Sequence, residues 1–274
     1  MTEEEKRQEK LLLLLLALAG ATEYQINKRA RKRLLEVTIK IRRAIQRMSP
    51  TGNFRAFEWV RLRPQIQPLL TQFSDLLRSY MLPELQGLIP EVQDAASDYA
   101  QPLQFEPIEL RPKSQAEIAQ TNTTGGKLTI AALFGTTNGP SRFSIQMGTD
   151  LDRMVRTGIL QEKTTQEIAD KALKVMQYRG KPTPVIETGS YANQMWNRVK
   201  NTTAGAAWSV TSSELLETWK DLEIDTWVWN AVMDSATCPI CQPLHGQTRP
   251  EPSLFPRQPP IHPNCRCAVF PQLG

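Results

Sequence analysis

All four cysteines and both histidines of this chain lie between Cys238 and Cys267. They sit in two short motifs, Cys238-Pro239-Ile240-Cys241 and His262-Pro263-Asn264-Cys265-Arg266-Cys267, with His245 between them. Two thiolates separated by two residues can both turn inward on one tight knuckle and fill two corners of a tetrahedron, each about 2.3 Å from a zinc ion. Cys265 and Cys267 are two apart, so on a final strand running to Phe270 they face the same side. His262, three residues before Cys265, can reach inward from the turn. The candidate metal ligands are therefore Cys238 and Cys241 first, then two drawn from His262, Cys265 and Cys267. His245, beside Gly246 in an expected turn, is the weakest. Four protein ligands leave no position open for water or substrate, so the expected cofactor is a structural zinc and no catalytic residue is assigned. The alternative is that the same cysteines pair as two disulfides in an oxidising compartment.

The elements around these motifs can be read from periodicity. From 225 to 234, Trp227, Trp229, Ala231 and Met233 alternate with Thr226, Val228, Asn230 and Val232, which predicts a half-buried strand leading into Cys238. Met147, Leu151, Met154 and Val155 predict a helix from about Ser144. Thr164 and Glu167 stand at capping-box spacing before Ile168, Ala172 and Val175, and Thr211 and Glu214 repeat that spacing before Leu215, Leu216 and Trp219, so a helix start is expected at each. Trp196, Trp208, Trp219, Trp227 and Trp229 are read as core residues.

Upstream, the chain reads as helical. The run from 11 to 21 is apolar but about half the roughly 20 residues that cross a bilayer, and Glu3, Glu4, Glu5 and Glu9 precede it where a secretory signal would be basic. It predicts a helix whose leucines are covered by the protein's own helices or by a groove on another subunit, with no membrane span and folding inside a cell. Ala30, Leu34, Val37, Ile41, Ala44 and Met48 define an amphipathic seam from 22 to 48. After Pro64 and Pro68, Leu69, Phe73, Leu76 and Tyr80 predict a helix ending before Pro83, and Pro90 is expected to start a short one. Pro102, Pro107, Pro112, Gly125-Gly126 and Asn138-Gly139-Pro140 break regular structure and predict an extended linker. The expected fold class is α+β and mainly helical: a helical N-terminal region at 1–105, a Pro/Gly-rich linker at 106–143, and a small mixed α/β domain at 144–274 with the zinc knuckle.

Charge is unevenly distributed. The 274 residues carry a net charge of +5, with 40% hydrophobic and 22% charged residues, which excludes global disorder. Between Lys28 and Arg63 twelve basic side chains face only Glu36 and Glu58, an excess of ten, so the rest of the chain is net acidic. Lys28, Arg29, Arg31, Lys32, Arg33, Lys40, Arg42, Arg43 and Arg47 form the candidate surface for an anionic partner, either phosphates or an acidic protein face. No helix-turn-helix or RNA-binding motif accompanies them, so contact with DNA would be independent of sequence.

The stretch "WVWNAVMDSATCPICQPLHGQT", a proline-rich loop, and "PPIHPNCRCAVFP" together resemble the C-terminal domain of phage Mu F-like minor head proteins, the phage head morphogenesis family. The resemblance rests on Trp229, Asp234, Cys238, Cys241, Gly246, Pro260, His262, Pro263, Cys265, Arg266 and Cys267. It is strong over about the last fifty residues, weaker back to Ser144, and matches nothing in residues 1–110. It implies a structural, non-enzymatic minor capsid protein of a tailed bacteriophage, present in several copies in the virion and folded in the host bacterial cytoplasm. Such a protein would meet the portal, the major capsid protein or phage DNA and act in head assembly or DNA packaging and delivery. The residues also permit an HNH-type nuclease, which would need His245 as a catalytic group, or a zinc-binding nucleic-acid adaptor.

Overall fold

The computed structural model describes residues 2–49, 52–101, 111–122, 129–134, 141–176, 185–220, 222, 224–262 and 264–272. Pro102, Pro107, Gly125-Gly126, Asn138-Gly139-Pro140 and Pro263 lie outside the described residues. The chain is mainly helical with a small three-stranded antiparallel sheet near its C-terminus. The helices are α1 (Glu3–Met48), α2 (Ala56–Ala100), α3 (Gln115–Ala119), α4 (Ile130–Phe134), α5 (Arg142–Leu160), α6 (Thr165–Ala172) and α7 (Tyr191–Thr218). The strands are β1 (Val175–Met176), β2 (Val185–Ile186), β3 (Trp227–Ala231), β4 (Thr248–Arg249) and β5 (Cys267–Pro271).

Helix α1 opens with a reciprocal cap, in which Glu5 N–H donates to Thr2 Oγ1 and Thr2 N–H donates to the Glu5 carboxylate. Three glutamates in the first turn and Arg47 in the last suit the backbone dipole. Its interior holds no proline, so nothing interrupts the ladder across both the leucine run and the basic segment. Ala30, Leu34, Val37 and Ile41 are buried as expected. After them the buried position is Ile45, and Ala44 and Met48 lie only at its margin. With 3.6 residues per turn, a step of four after Ile41 keeps closer to the buried line than a step of three.

Helix α2 corrects the expected break at Pro83 and the expected fresh start at Pro90, because it runs through Pro64, Pro68, Pro83 and Pro90. At about 100° per residue these four prolines fall within roughly 100° of one another around the axis. None of them is buried, so the carbonyls they leave unpaired face water and the usual penalty of a helical proline is reduced. The buried line is Ile66, Leu70, Phe73, Leu77 and Met81. Leu69, Leu76 and Tyr80, expected on that seam with Phe73, lie beside it, and Leu76 is 38% exposed.

Two compact units form, each from separated parts of the chain: Met1–Ile26 with Met81–Ala131 and Asn201–Gly274, and Asn27–Tyr80 with Ala132–Lys200. In the second, Ser141 caps α5, the Thr164–Glu167 capping box starts α6 as expected, and Met147, Leu151 and Val155 are buried. Tyr191 O–H donates to the Met147 carbonyl at 2.9 Å, and Trp59 Nε1–H donates to Asp152 at 2.8 Å. Helices α5 and α6 meet at Gly158, where a Cβ would lie 2.7 Å from Ile168 Cγ1. Gly158→Ala should destabilise the protein by about 1–3 kcal/mol through overpacking, outweighing the roughly 1 kcal/mol gained in helix propensity. Denaturant titration checks this, and a variant more stable than the native chain would show that Ile168 moves aside freely.

In the first unit the strand order is β4-β3-β5, all antiparallel. Trp227, Trp229 and Ala231 of β3 point into the core, as the alternation predicts, and Met233 beyond the strand is 49% exposed. Trp219 is fully buried against Tyr99, Trp227 and Phe270, with ring centroids 5.7–6.4 Å apart, and its Nε1–H donates to the Ala96 carbonyl. Trp208 Nε1–H donates to the Cys267 carbonyl at 3.0 Å. The leucine run joins this unit: Leu11, Leu12 and Leu15 are buried there, whereas Leu13 and Leu14 are about half exposed. The described parts of the expected linker include α3, started by a Ser114–Glu117 capping box, and α4, with Ile118 and Ile130 buried. A five-residue helix is too short to show a repeat in sequence.

Helix α7 overturns the expected helix start at Thr211. It is continuous from Tyr191 to Thr218, and the Thr211 hydroxyl donates to the Ala207 carbonyl one turn back. Glu214 is buried and receives hydrogen bonds from Gln93 and Lys113, each at 2.6 Å. The capping-box spacing inside this helix therefore served a bond back along the helix at Thr211 and tertiary contacts at Glu214 instead of a terminus.

Candidate metal centre

The register of β3 with β5 brings the two motifs together. Ala231 pairs with Cys267, and Val232 N–H adds a further bond to the Arg266 carbonyl, so the end of β3 and the start of β5 are adjacent. The chain leaves β3, turns at Asp234 and enters the knuckle. There the N–H groups of Cys241 and Gln242 both donate to the Cys238 carbonyl, and Cys241 N–H also points at Cys238 Sγ at 3.3 Å. On the other side Cys265 N–H donates to the His262 carbonyl, with Asn264 in the left-handed region at φ 59°.

His262 Nε2 lies 2.9 Å from Cys238 Sγ and 3.0 Å from Cys241 Sγ. Cys241 Sγ lies 3.9 Å from Cys265 Sγ. The donor atoms form two overlapping groups, Cys238–Cys241–His262 and Cys241–Cys265–Cys267, each within 4.8 Å, and Cys241 belongs to both. All five candidates from the sequence are thus assembled, and they could hold a metal ion. The four cysteines are free thiols. Around a tetrahedral zinc the sulfur–sulfur edge would be about 3.8 Å and the sulfur–nitrogen edge about 3.5 Å, so the cluster matches the first and needs an outward shift of roughly half an ångström for the second. Cys241, Cys265 and Cys267 are buried, and Cys238 and His262 are half-buried.

Proton affinities within the cluster diverge. Burial pushes the Cys241 thiol up to about 12. The Cys267 thiol is also raised, through its hydrogen bond to Cys265 and then burial. Donation from Cys267 pulls Cys265 down to about 5, with backbone N–H groups helping. At Cys238 burial opposes ionisation, but bonds from the Cys241 side chain and from the backbone at Cys241 and Ile240 outweigh it and lower the thiol. Packed thiols share few negative charges because each thiolate repels the next, and a dication removes that restriction. The donor set therefore fits a thiolate-binding metal.

His245 stands outside both groups. It is exposed, and its Nδ1 accepts the Ala231 N–H at 3.2 Å, while Gly246, at φ 77°, donates to the Trp229 carbonyl. His245 thus supports the edge of β3. Gly246 permits the turn because its φ strains any side chain.

The sequence alone did not reveal how Asp234 and Arg266 act. Arg266 donates from both terminal nitrogens to Asp234, at 2.7 and 2.6 Å, and so ties the approach to Cys238 to the backbone between Cys265 and Cys267. Asp234 also accepts from Ala236 N–H, and Thr237 Oγ1 accepts from Asp234 N–H. The Arg266 guanidinium, then the Ala236 N–H, hold the Asp234 carboxyl down to about 2. Its folded pKa is thus below the unfolded value of about 3.9, so its stabilisation is complete above about pH 4 and disappears only as pH falls through about 2. Metal loss above about pH 4 would accordingly reflect protonation of the ligands, with this brace still ionised. Asp234→Asn should weaken metal affinity by about tenfold at neutral pH, as loss of an outer support commonly does. Competition against a chromophoric chelator measures it, and unchanged affinity would show that the brace is dispensable.

The basic residues predicted as a partner surface lie on α1. Lys28, Arg29, Lys32, Arg33, Lys40, Arg43 and Arg47 are exposed, while Arg31 and Arg42 are half-buried. Arg33 pairs with Glu36 at 2.7 Å and Arg42 with Asp170 at 2.6 Å. No helix among the described residues is long and apolar enough to cross a membrane.

No curated protein and no solved structure shows a significant match to the chain. A family model described as phage Mu protein F like protein matches residues 146–270, a span that contains all five residues of the cysteine and histidine cluster, β3, β4 and all but the last residue of β5. Residues 146–270 are thus similar to the phage Mu protein F like family, a likeness that supports a phage head morphogenesis protein.

Proposed function

We propose that this protein is a structural minor head component of a tailed bacteriophage, sited at the portal vertex or inner capsid surface, with its C-terminal segment fixed by one structural zinc. The observation that carries the reading is the cluster of Cys238, Cys241, His262, Cys265 and Cys267 inside the family-matched segment. Five soft donors for about four positions suit a closed zinc site whose role is folding. The metal ligands, the zinc identity and the non-catalytic role all belong to this proposal. His245, the group a nuclease reading requires, has its Nδ1 engaged by the β3 backbone, which supports the non-catalytic reading.

Purified particles and elemental analysis test the proposal together. The protein should be detected in the particle by mass spectrometry, and the isolated chain should hold one zinc. A protein made during infection but missing from particles would favour a nucleic-acid adaptor. Plasmid cleavage abolished by His245→Ala would favour the nuclease.

A further inference from the structure

We propose that the outward face of α1 between Lys28 and Arg47 is a binding surface for the phosphate backbone of duplex DNA. The inference deepens the proposed function and rests on it for where such DNA would be met. The buried line Ala30, Leu34, Val37, Ile41 and Ile45 fixes the rotation of this helix. Lys28, Lys32 and Arg43 project from the opposite side, with Lys40 and Arg47 alongside, all exposed. Lys28, Arg43 and Arg47 make no ion pair among the described residues. The one acid on this stretch, Glu36, is already neutralised by Arg33. From Lys28 to Arg47 the helix spans about 29 Å, just under one turn of duplex, about 34 Å.

The composition of the face distinguishes DNA from an acidic protein partner. Protein interfaces concentrate aromatic and aliphatic anchors in a dry centre and are depleted in lysine. On this stretch the one large apolar side chain that is exposed is Ile39, at 37%. A row of flexible cations without anchors gains its affinity from counterion release, which phosphates supply and which carries no base specificity.

The test is duplex binding by the full-length chain as a function of salt, compared with a variant carrying Lys28→Gln, Lys32→Gln, Lys40→Gln and Arg43→Gln. Glutamine keeps helix propensity near that of lysine and arginine, and far-UV circular dichroism with metal content verifies the fold. The native chain should bind duplexes of unrelated sequence equally. Its log-log salt slope should exceed that of the variant by about 0.9 for each phosphate that the variant no longer neutralises, about 3 to 4 in all. Absence of binding at 50 mM salt, an equal slope in the variant, or displacement of DNA by polyglutamate at equivalent charge would overturn the inference. If the variant did not fold, the pair Lys32→Gln and Arg43→Gln would be read the same way, with a slope change of about 2. Detection in particles is scored separately, so a protein present in the head but indifferent to DNA removes this inference alone.

Discussion

Cys241→Ser should strip the metal from the protein and unfold the segment from β3 to β5, while the long helices remain formed. Cys241 is the donor shared by both halves of the cluster, so no regrouping of the remaining ligands restores the same set. Structural zinc contributes roughly 10–16 kcal/mol in small zinc-dependent folds, as large as the whole stability of an ordinary domain at about 5–15 kcal/mol. Losing it should abolish local order rather than loosen it. The expected readings are less than one zinc per chain, a red shift from Trp227 and Trp229, and new protease cuts between β3 and β5. The far-UV helical signal should fall little, because α1 and α2 bury leucine-rich lines remote in sequence from the knuckle. Cys238→Ser should be milder, since Cys238 belongs to one group and is half-buried. A Cys241→Ser chain with a full complement of zinc and native protease resistance would show that the metal lies elsewhere.

Lys113→Met should cost about 3–5 kcal/mol, the usual result of leaving a buried charge unpaired. Glu214 is only 2% exposed, and its carboxylate is held by Lys113 on one oxygen and Gln93 on the other. For a chain of this size such a loss lowers the melting temperature by roughly 10 °C. Adding Glu214→Leu should recover most of it, because the charge that needed a partner is then gone. A double-mutant cycle by thermal melting measures the coupling. If Lys113→Met melted with the native protein, Glu214 would have to be satisfied without the lysine, and the segment before α3 would not be anchored by this pair.

What was legible before the structure follows from how local each feature is. The cysteine and histidine cluster, which could hold a metal ion, was readable because candidate ligand type and spacing are fixed by coordination geometry, whatever surrounds them. The strand at Trp227 showed a period of two, and the Thr164–Glu167 cap stood at a true helix start. The same spacing at Thr211 and Glu214 misled, since a threonine that bonds back one turn and a glutamate that meets Lys113 look like a cap when their partners are unknown. The prolines of α2 misled for a related reason. Whether a proline ends a helix depends on whether its freed carbonyl reaches water, and burial is a tertiary property.

By itself the sequence determined the candidate donors, the basic stretch, the buried Trp208, Trp219, Trp227 and Trp229, though not Trp196, which is only half-buried, and the mainly helical character. All of these depend on side-chain type and short-range periodicity. Only tertiary structure decided that one helix carries both the leucine run and the basic face, that Ala231 pairs with Cys267, and that Asp234 clasps Arg266 across the two motifs. Those arrangements join residues far apart along the chain. The free energies that select them come from burial and hydrogen bonding between elements, which no local window of sequence contains.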